Sequence, residues 1–113
     1  MFWKTDEPHG LPHNPFKSCV VPRPIGWISS ISADGHINLA PYSFFNGVSG
    51  EPPLVMFSNN GSRDKASKDT LSNVEATGEF VCNMATFGLR DEMNASSAPA
   101  AREINEFELA GLE

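Results

Sequence analysis

From Ile25 to Ser32 the chain alternates, with Trp27, Ser29 and Ile31 on one face and Ile28, Ser30 and Ser32 on the other. The pattern predicts a strand. Ala33-Asp34-Gly35 then supplies turn residues, and Ile37–Tyr42 reads as the return strand of a hairpin. Pro41 has no N–H to give to a ladder, so the segment is expected to leave the sheet there. Ser43–Val48 reads as a short helical turn or loop. After Glu51-Pro52-Pro53 comes a third strand, Leu54–Ser58, apolar throughout and expected to lie inside a barrel or buried sheet.

Asn59–Ala66 reads as loop, and Ser67 is placed to cap a helix running to Thr77, with Leu71 and Val74 inward and Gly78 as its stop. Glu79–Ala85 alternates Phe80, Cys82 and Met84 against Val81, Asn83 and Ala85, which predicts a fourth strand. Leu89–Ala98 has helical spacing, with Leu89 and Met93 four apart. The tail to Glu113 carries no clear pattern. Residues 1–24, crowded with Pro, Gly and His, read as an irregular arm. Strands joined by hairpins, with short helices, favour a mainly β fold, a barrel rather than a doubly wound sheet. Neither G-x-G-x-x-G, a Walker loop nor an internal repeat is present.

Composition narrows the functional classes. A length of 113 residues suits one domain, 1–113, with one core. Hydrophobic residues make up 40% and charged residues 19%, an ordinary globular balance. The net charge of -6 disfavours a nucleic-acid partner, because phosphate neutralisation needs clustered Lys and Arg. The local group Arg63, Lys65 and Lys68 suffices for one phosphate, not for a polymer. No apolar run approaches the roughly 20 residues of a membrane span, and the first residues lack a signal peptide's apolar stretch, so a cytoplasmic protein is expected. Cys19 and Cys82 lack C-x-x-C spacing and sit among apolar residues, which predicts buried free thiols.

Two segments are candidate binding elements. A helix starting at Lys68-Asp69-Thr70 would present first-turn N–H groups to a phosphate, with a charge from Lys68 and a hydroxyl from Thr70. Equally, Ser67 and Asp69 would cap the helix and complement its dipole, and an Asp69 side chain facing a phosphate would repel it. Ala40-Pro41-Tyr42-Ser43-Phe44-Phe45-Asn46, if out of the ladder, frees backbone groups for a flat heteroaromatic ligand, with an amide from Asn46; alternatively Phe44 and Phe45 are core aromatics. Ser29 and Ser30 add hydroxyls beside Trp27, although strand serines commonly face solvent. His9 and His13 are separated by Gly10 and Pro12, and His36 lies in a turn, so no metal site is assigned. No G-x-S-x-G elbow is present, so no catalytic nucleophile or general base is assigned.

Taken together, Val20–Ser29, Asn38–Asn46, Pro52–Phe57 and Lys68–Thr70 resemble the flavin reductase-like family of FMN-binding split barrels. Thr77–Val81, Met93–Pro99 and Glu106–Leu112 continue the likeness in order. Each motif is modest; the ordered set is specific. The resemblance implies a split-barrel homodimer with FMN near the subunit interface, reducing flavin or another acceptor with NADH or NADPH. A monooxygenase or electron-acceptor partner would take the reduced flavin. Such chemistry needs no acid or nucleophile from the protein, because the flavin ring accepts and donates the hydride.

By similarity, Lys68, Asp69 and Thr70 belong to the phosphate region, Ser29 and Ser30 face the flavin, Ala40, Pro41, Tyr42, Ser43, Phe44 and Asn46 line its ring system, and Arg23 contacts the ligand. Family members generally continue beyond the point where this chain stops, so it reads as a truncated split barrel with exposed strand edges. A non-catalytic FMN-binding or electron-transfer protein and a ligand-free fragment are the alternatives.

Overall fold

A computed structural model describes residues 2–60 and 68–113. A short helix, α1 (Pro15–Cys19), precedes four strands, β1 (Gly26–Ile31), β2 (Ile37–Tyr42), β3 (Phe45–Gly50) and β4 (Pro53–Phe57). Helix α2 (Asp69–Thr77), strand β5 (Val81–Asn83), a 3-10 turn at Phe87–Leu89, helix α3 (Arg90–Ala95) and helix α4 (Glu106–Leu109) complete the described chain. Strands β2, β1 and β5 form an antiparallel sheet in that order, and β3 pairs with β4 as a separate two-stranded sheet. The two do not close into a barrel among the described residues.

The expected first hairpin forms. Ser32 N–H donates to the His36 carbonyl at 2.9 Å, and Gly35 takes φ +91°, a conformation open to glycine without strain. β1 does not simply alternate, because both Trp27 and Ile28 are buried: its start is covered on both faces. Ile28 and Leu39 are the most completely buried apolar side chains, joined in the core by Trp27 and Tyr42. Trp27 finds a partner for its indole N–H in the Ser96 hydroxyl, 2.9 Å away.

Several expectations are corrected. The arm is not wholly irregular, since Asn14 accepts from the N–H groups of Phe16 and Lys17 and so caps α1, with Pro15 at its first position. β2 does not leave the sheet at Pro41; pairing continues through Trp27 with Pro41 and Gly26 with Tyr42. The reason lies in strand geometry. Leu39 N–H points off the outer edge of β2 to the Glu106 carboxylate, 3.0 Å away, and Pro41, two residues on, turns its missing donor toward the same edge. Ser43–Val48 is not helical: after a bend at Ser43 and Phe44 it enters β3.

β4 is not buried. Leu54, Val55 and Met56 are 50%, 44% and 56% exposed, although successive residues point to opposite faces. Helix α2 keeps Gly78 as its stop, in the left-handed conformation, but its buried residues are Thr70 and Asn73, whereas Leu71 and Val74 are only half-buried. The expected cap Ser67 and the residues Arg63 and Lys65 lie outside the described residues. The fourth strand is reduced to Val81–Asn83, and the last predicted helix begins as a 3-10 turn and ends at Ala95. Cys19 and Cys82 are free thiols but exposed, not buried. The tail, for which no element was expected, holds α4, capped by Asn105, whose side chain accepts from Phe107 N–H.

Candidate functional site

The outer edge of β2 and the first turn of α2 face each other across a cleft of about 270 Å³. Ala40, Pro41 and Tyr42 form one wall, and Lys68, Asp69 and Thr70 the other. Ser96–Ala100 and Glu106, which the sequence reading did not single out for the site, close its end. The topology explains the meeting: β2 is an edge strand, and α4 fills the edge with the Glu106 carboxylate in place of another strand.

Buried side-chain hydrogen bonds tie α2 to the sheet. Asn38 Nδ2 donates to Thr70 Oγ1 at 2.7 Å, and Asn73 Nδ2 to Ser30 Oγ at 3.1 Å. These bonds explain the polar inner face of the helix: strand and helix meet through paired amides and hydroxyls, each satisfied, instead of through aliphatic contact. Asp69 pairs with the tail. Arg102 reaches it at 3.4 Å and reaches the Asn73 side-chain oxygen, one turn along, at 3.3 Å.

A second cleft of about 160 Å³ shares Pro41, Tyr42 and Lys68 with the first and adds Lys17, Arg23, Ser43 and Phe44. Arg23 lies 5.0 Å above the Phe44 ring, and Lys68 lies 5.2 Å from the centre of the Tyr42 ring. Among the described residues two buried donors have no partner within hydrogen-bond geometry: Arg23 Nη1, on this cleft, and the Tyr42 hydroxyl, which has the Thr70 hydroxyl beside it. Burial pushes the Tyr42 hydroxyl above the usual tyrosine pKa; the Thr70 hydroxyl opposes this, and the Asp69 and Glu106 carboxylates add to it. A third, wider depression of about 690 Å³ continues from Arg23 and Phe44 to Asn46, which is exposed on β3.

Of the expected site residues, Ala40, Pro41, Tyr42, Ser43, Phe44, Arg23, Lys68, Asp69 and Thr70 are thus brought onto adjoining walls, with Asn46 at the far margin. Ser29 and Ser30 are not. They line a separate groove beside Gly78–Val81, and their hydroxyls accept from Asn83 and Asn73. Neither serine is merely solvent-facing. Among the described residues no cluster of three His, Cys, Asp or Glu side chains is placed to hold a metal ion, and no helix is long and apolar enough to cross a membrane.

A family model for the flavin reductase like domain matches residues 17–113. The chain belongs to this family. An uncharacterized protein of Aquifex aeolicus (strain VF5) is 50% identical over 93 residues, covering 82% of this chain and 47% of that protein. The crystal structure of nitrilotriacetate monooxygenase component B from Bacillus cereus superposes with TM-score 0.77 at 30% identity, over 93% of this chain and 57% of that one. A protein with a split barrel domain from Shewanella frigidimarina NCIMB 400 matches with TM-score 0.69 at 22% identity, over 79% and 42%, and shows the fold alone. The fold is therefore the mainly β split barrel of the flavin reductase-like domains, here with open sheets. The chain spans about half the length of these relatives.

Proposed function

We propose that the cleft between β2 and α2 holds FMN and that the domain serves flavin-dependent oxidoreduction with NADH or NADPH as the hydride donor. The observation that carries this reading is Arg23 Nη1, a buried donor with no partner among the described residues, in the cleft that adjoins this one beside Tyr42 and a helix N-terminus with Lys68 at its cap position. A buried donor without a partner is unfavourable by about 1–3 kcal/mol, so a ligand rich in acceptor oxygens is favoured there. FMN offers such oxygens in its phosphate and ring carbonyls, and its flat ring suits the apolar surfaces of Pro41 and Phe44.

Each group has a defined part. The first-turn N–H groups of α2 and the Lys68 ammonium bind the phosphate. Arg23 and Tyr42 orient the ligand by donating to it. When bound, FMN supplies the hydride acceptance and release, which requires no nucleophile from the chain. Ser29 and Ser30 act in this reading through the sheet, by holding Asn83 and Asn73, rather than by touching the ring.

The assembly belongs to the same proposal. The apolar side chains exposed on β4, with Val48 on β3, support a homodimer in which a second copy covers them. The likeness to a monooxygenase component supports an oxygenase as the consumer of reduced flavin. The deciding test is titration with FMN followed by its fluorescence. Saturable quenching, then anaerobic bleaching of the bound flavin by NADH or NADPH, is expected. Absence of quenching overturns the site; quenching without bleaching overturns the reductase and leaves a flavin carrier.

A further inference from the structure

Arg102 was not among the expected site residues, and it lies in a tail that the sequence pattern leaves unassigned. Its guanidinium nevertheless joins three elements. Nη1 reaches Asp69 Oδ1 at 3.4 Å, at the first position of α2, and Nη2 reaches Asn73 Oδ1 at 3.3 Å, one turn further on. Nη2 also lies 3.9 Å from Asp34 Oδ1, in the turn between β1 and β2. Asn73 in turn donates to Ser30 of β1, so its amide is fixed at both ends.

This arrangement bears on an anion at the start of α2. Asp69 occupies the first turn of α2, and the residue lines the same cleft. A carboxylate there favours the helix dipole but repels a phosphate through the cleft. The two demands are compatible only when the carboxylate is turned aside and its charge balanced. Arg102 meets both conditions, because it approaches from the tail, and Asn73 and Asp34 hold the guanidinium on that side.

We infer that Arg102 is a positioning residue that makes the site selective for a phosphorylated flavin, by drawing the Asp69 carboxylate away from the phosphate position. The inference rests on the FMN reading above and adds to it the source of phosphate selectivity. Arg102 acts through Asp69. Its removal therefore weakens a ligand with a phosphate and leaves a ligand without one almost unchanged.

The test compares FMN with riboflavin, which has the same ring system and no phosphate, by fluorescence titration of the full chain. Arg102→Gln is expected to weaken FMN about tenfold, the effect of about 1.4 kcal/mol, and to change riboflavin less than about twofold. In an Asp69→Asn background the same change is expected to have less than about a twofold effect on FMN, because the repulsive charge is gone. Arg102→Lys, which keeps the charge, is expected to retain most of the FMN affinity and guards against a variant that merely fails to fold. An equal loss for both ligands, or the same FMN loss with and without Asp69, overturns the inference. So does unchanged FMN binding in Arg102→Gln while the unaltered chain binds FMN. If the unaltered chain binds neither flavin, the FMN reading itself falls and this inference with it.

Discussion

The two sheets of this domain bury their residues by opposite means. In the β2-β1-β5 sheet, Ile28 and Leu39 are fully enclosed, and the polar groups around them are paired: Asn38 with Thr70, Asn73 with Ser30, Leu39 N–H with Glu106. In the β3–β4 hairpin β4 is apolar throughout, yet Val48, Leu54, Val55 and Met56 are exposed. Among the described residues the base of the hairpin is anchored. Phe45 lies so close to Gly26 that a Cβ there would sit 2.7 Å from its ring Cγ, and Phe57 packs between Tyr42 and Phe80, ring centres 5.0 and 5.2 Å away, tilted to the first and edge-on to the second. Burial thus follows cover from other elements rather than the apolarity of a strand.

The sharpest test of this contrast is a pair of truncations. Ile28→Ala is expected to lower unfolding free energy by about 2–5 kcal/mol in denaturant melts, whereas Val55→Ala is expected to change it by about 0.5 kcal/mol or less. Equal losses would mean that the hairpin is as well covered in solution as β1, as a second copy would make it. Glu106→Ala strips the acceptor from Leu39 N–H at a buried edge and is expected to lower stability by about 1–3 kcal/mol, while Glu106→Gln, which keeps an acceptor oxygen, loses less. If the two variants melt alike, the edge of β2 is held by something other than that hydrogen bond.

The anchor between the sheets is tested by Gly26→Ala. Its methyl group meets the Phe45 ring, and a loss of about 1–3 kcal/mol is expected. Shortening the ring in Gly26→Ala/Phe45→Leu should recover part of it; no recovery would place the strain elsewhere. A smaller effect concerns pH. The folded Tyr42 pKa is raised above 10.0, mainly by burial, so its contribution to stability is complete below pH 10.0 and is lost as pH rises through the folded value. Thermal melts of Tyr42→Phe are expected to show less alkaline loss than the unaltered chain above pH 10.0, and parallel curves would show that the hydroxyl is hydrated.

Much of the first sheet was legible in the sequence because its signals are local. Alternation from Ile25 to Ser32, the Asp34-Gly35 turn and Gly78 as a helix stop each act within a few residues. The site was partly legible. Ala40–Phe44 and Lys68–Thr70 could be named as separate segments, but their approach across an edge depends on which strand ends the sheet. Ser29 and Ser30, expected to face the flavin, line a separate groove and accept from amides of β5 and α2. Arg102 and Glu106 gave no periodic signal, and Asn105 as a cap before an apolar Phe107 is the local feature that would have located α4.

The sequence by itself determined the first hairpin and its turn, the stop of α2 at Gly78, the absence of clustered basic charge for nucleic acid, and the ordered motifs of the family, but not α1, β3 or α4. The tertiary structure decided what those elements face. Pro41 stays in the sheet because its missing donor points outward, β4 stays exposed because nothing among the described residues covers it, and Asp69 of α2 meets Arg102 from a distant tail. Local propensity acts over a few residues of chain, whereas burial and charge pairing depend on groups brought together from 30 or more residues apart.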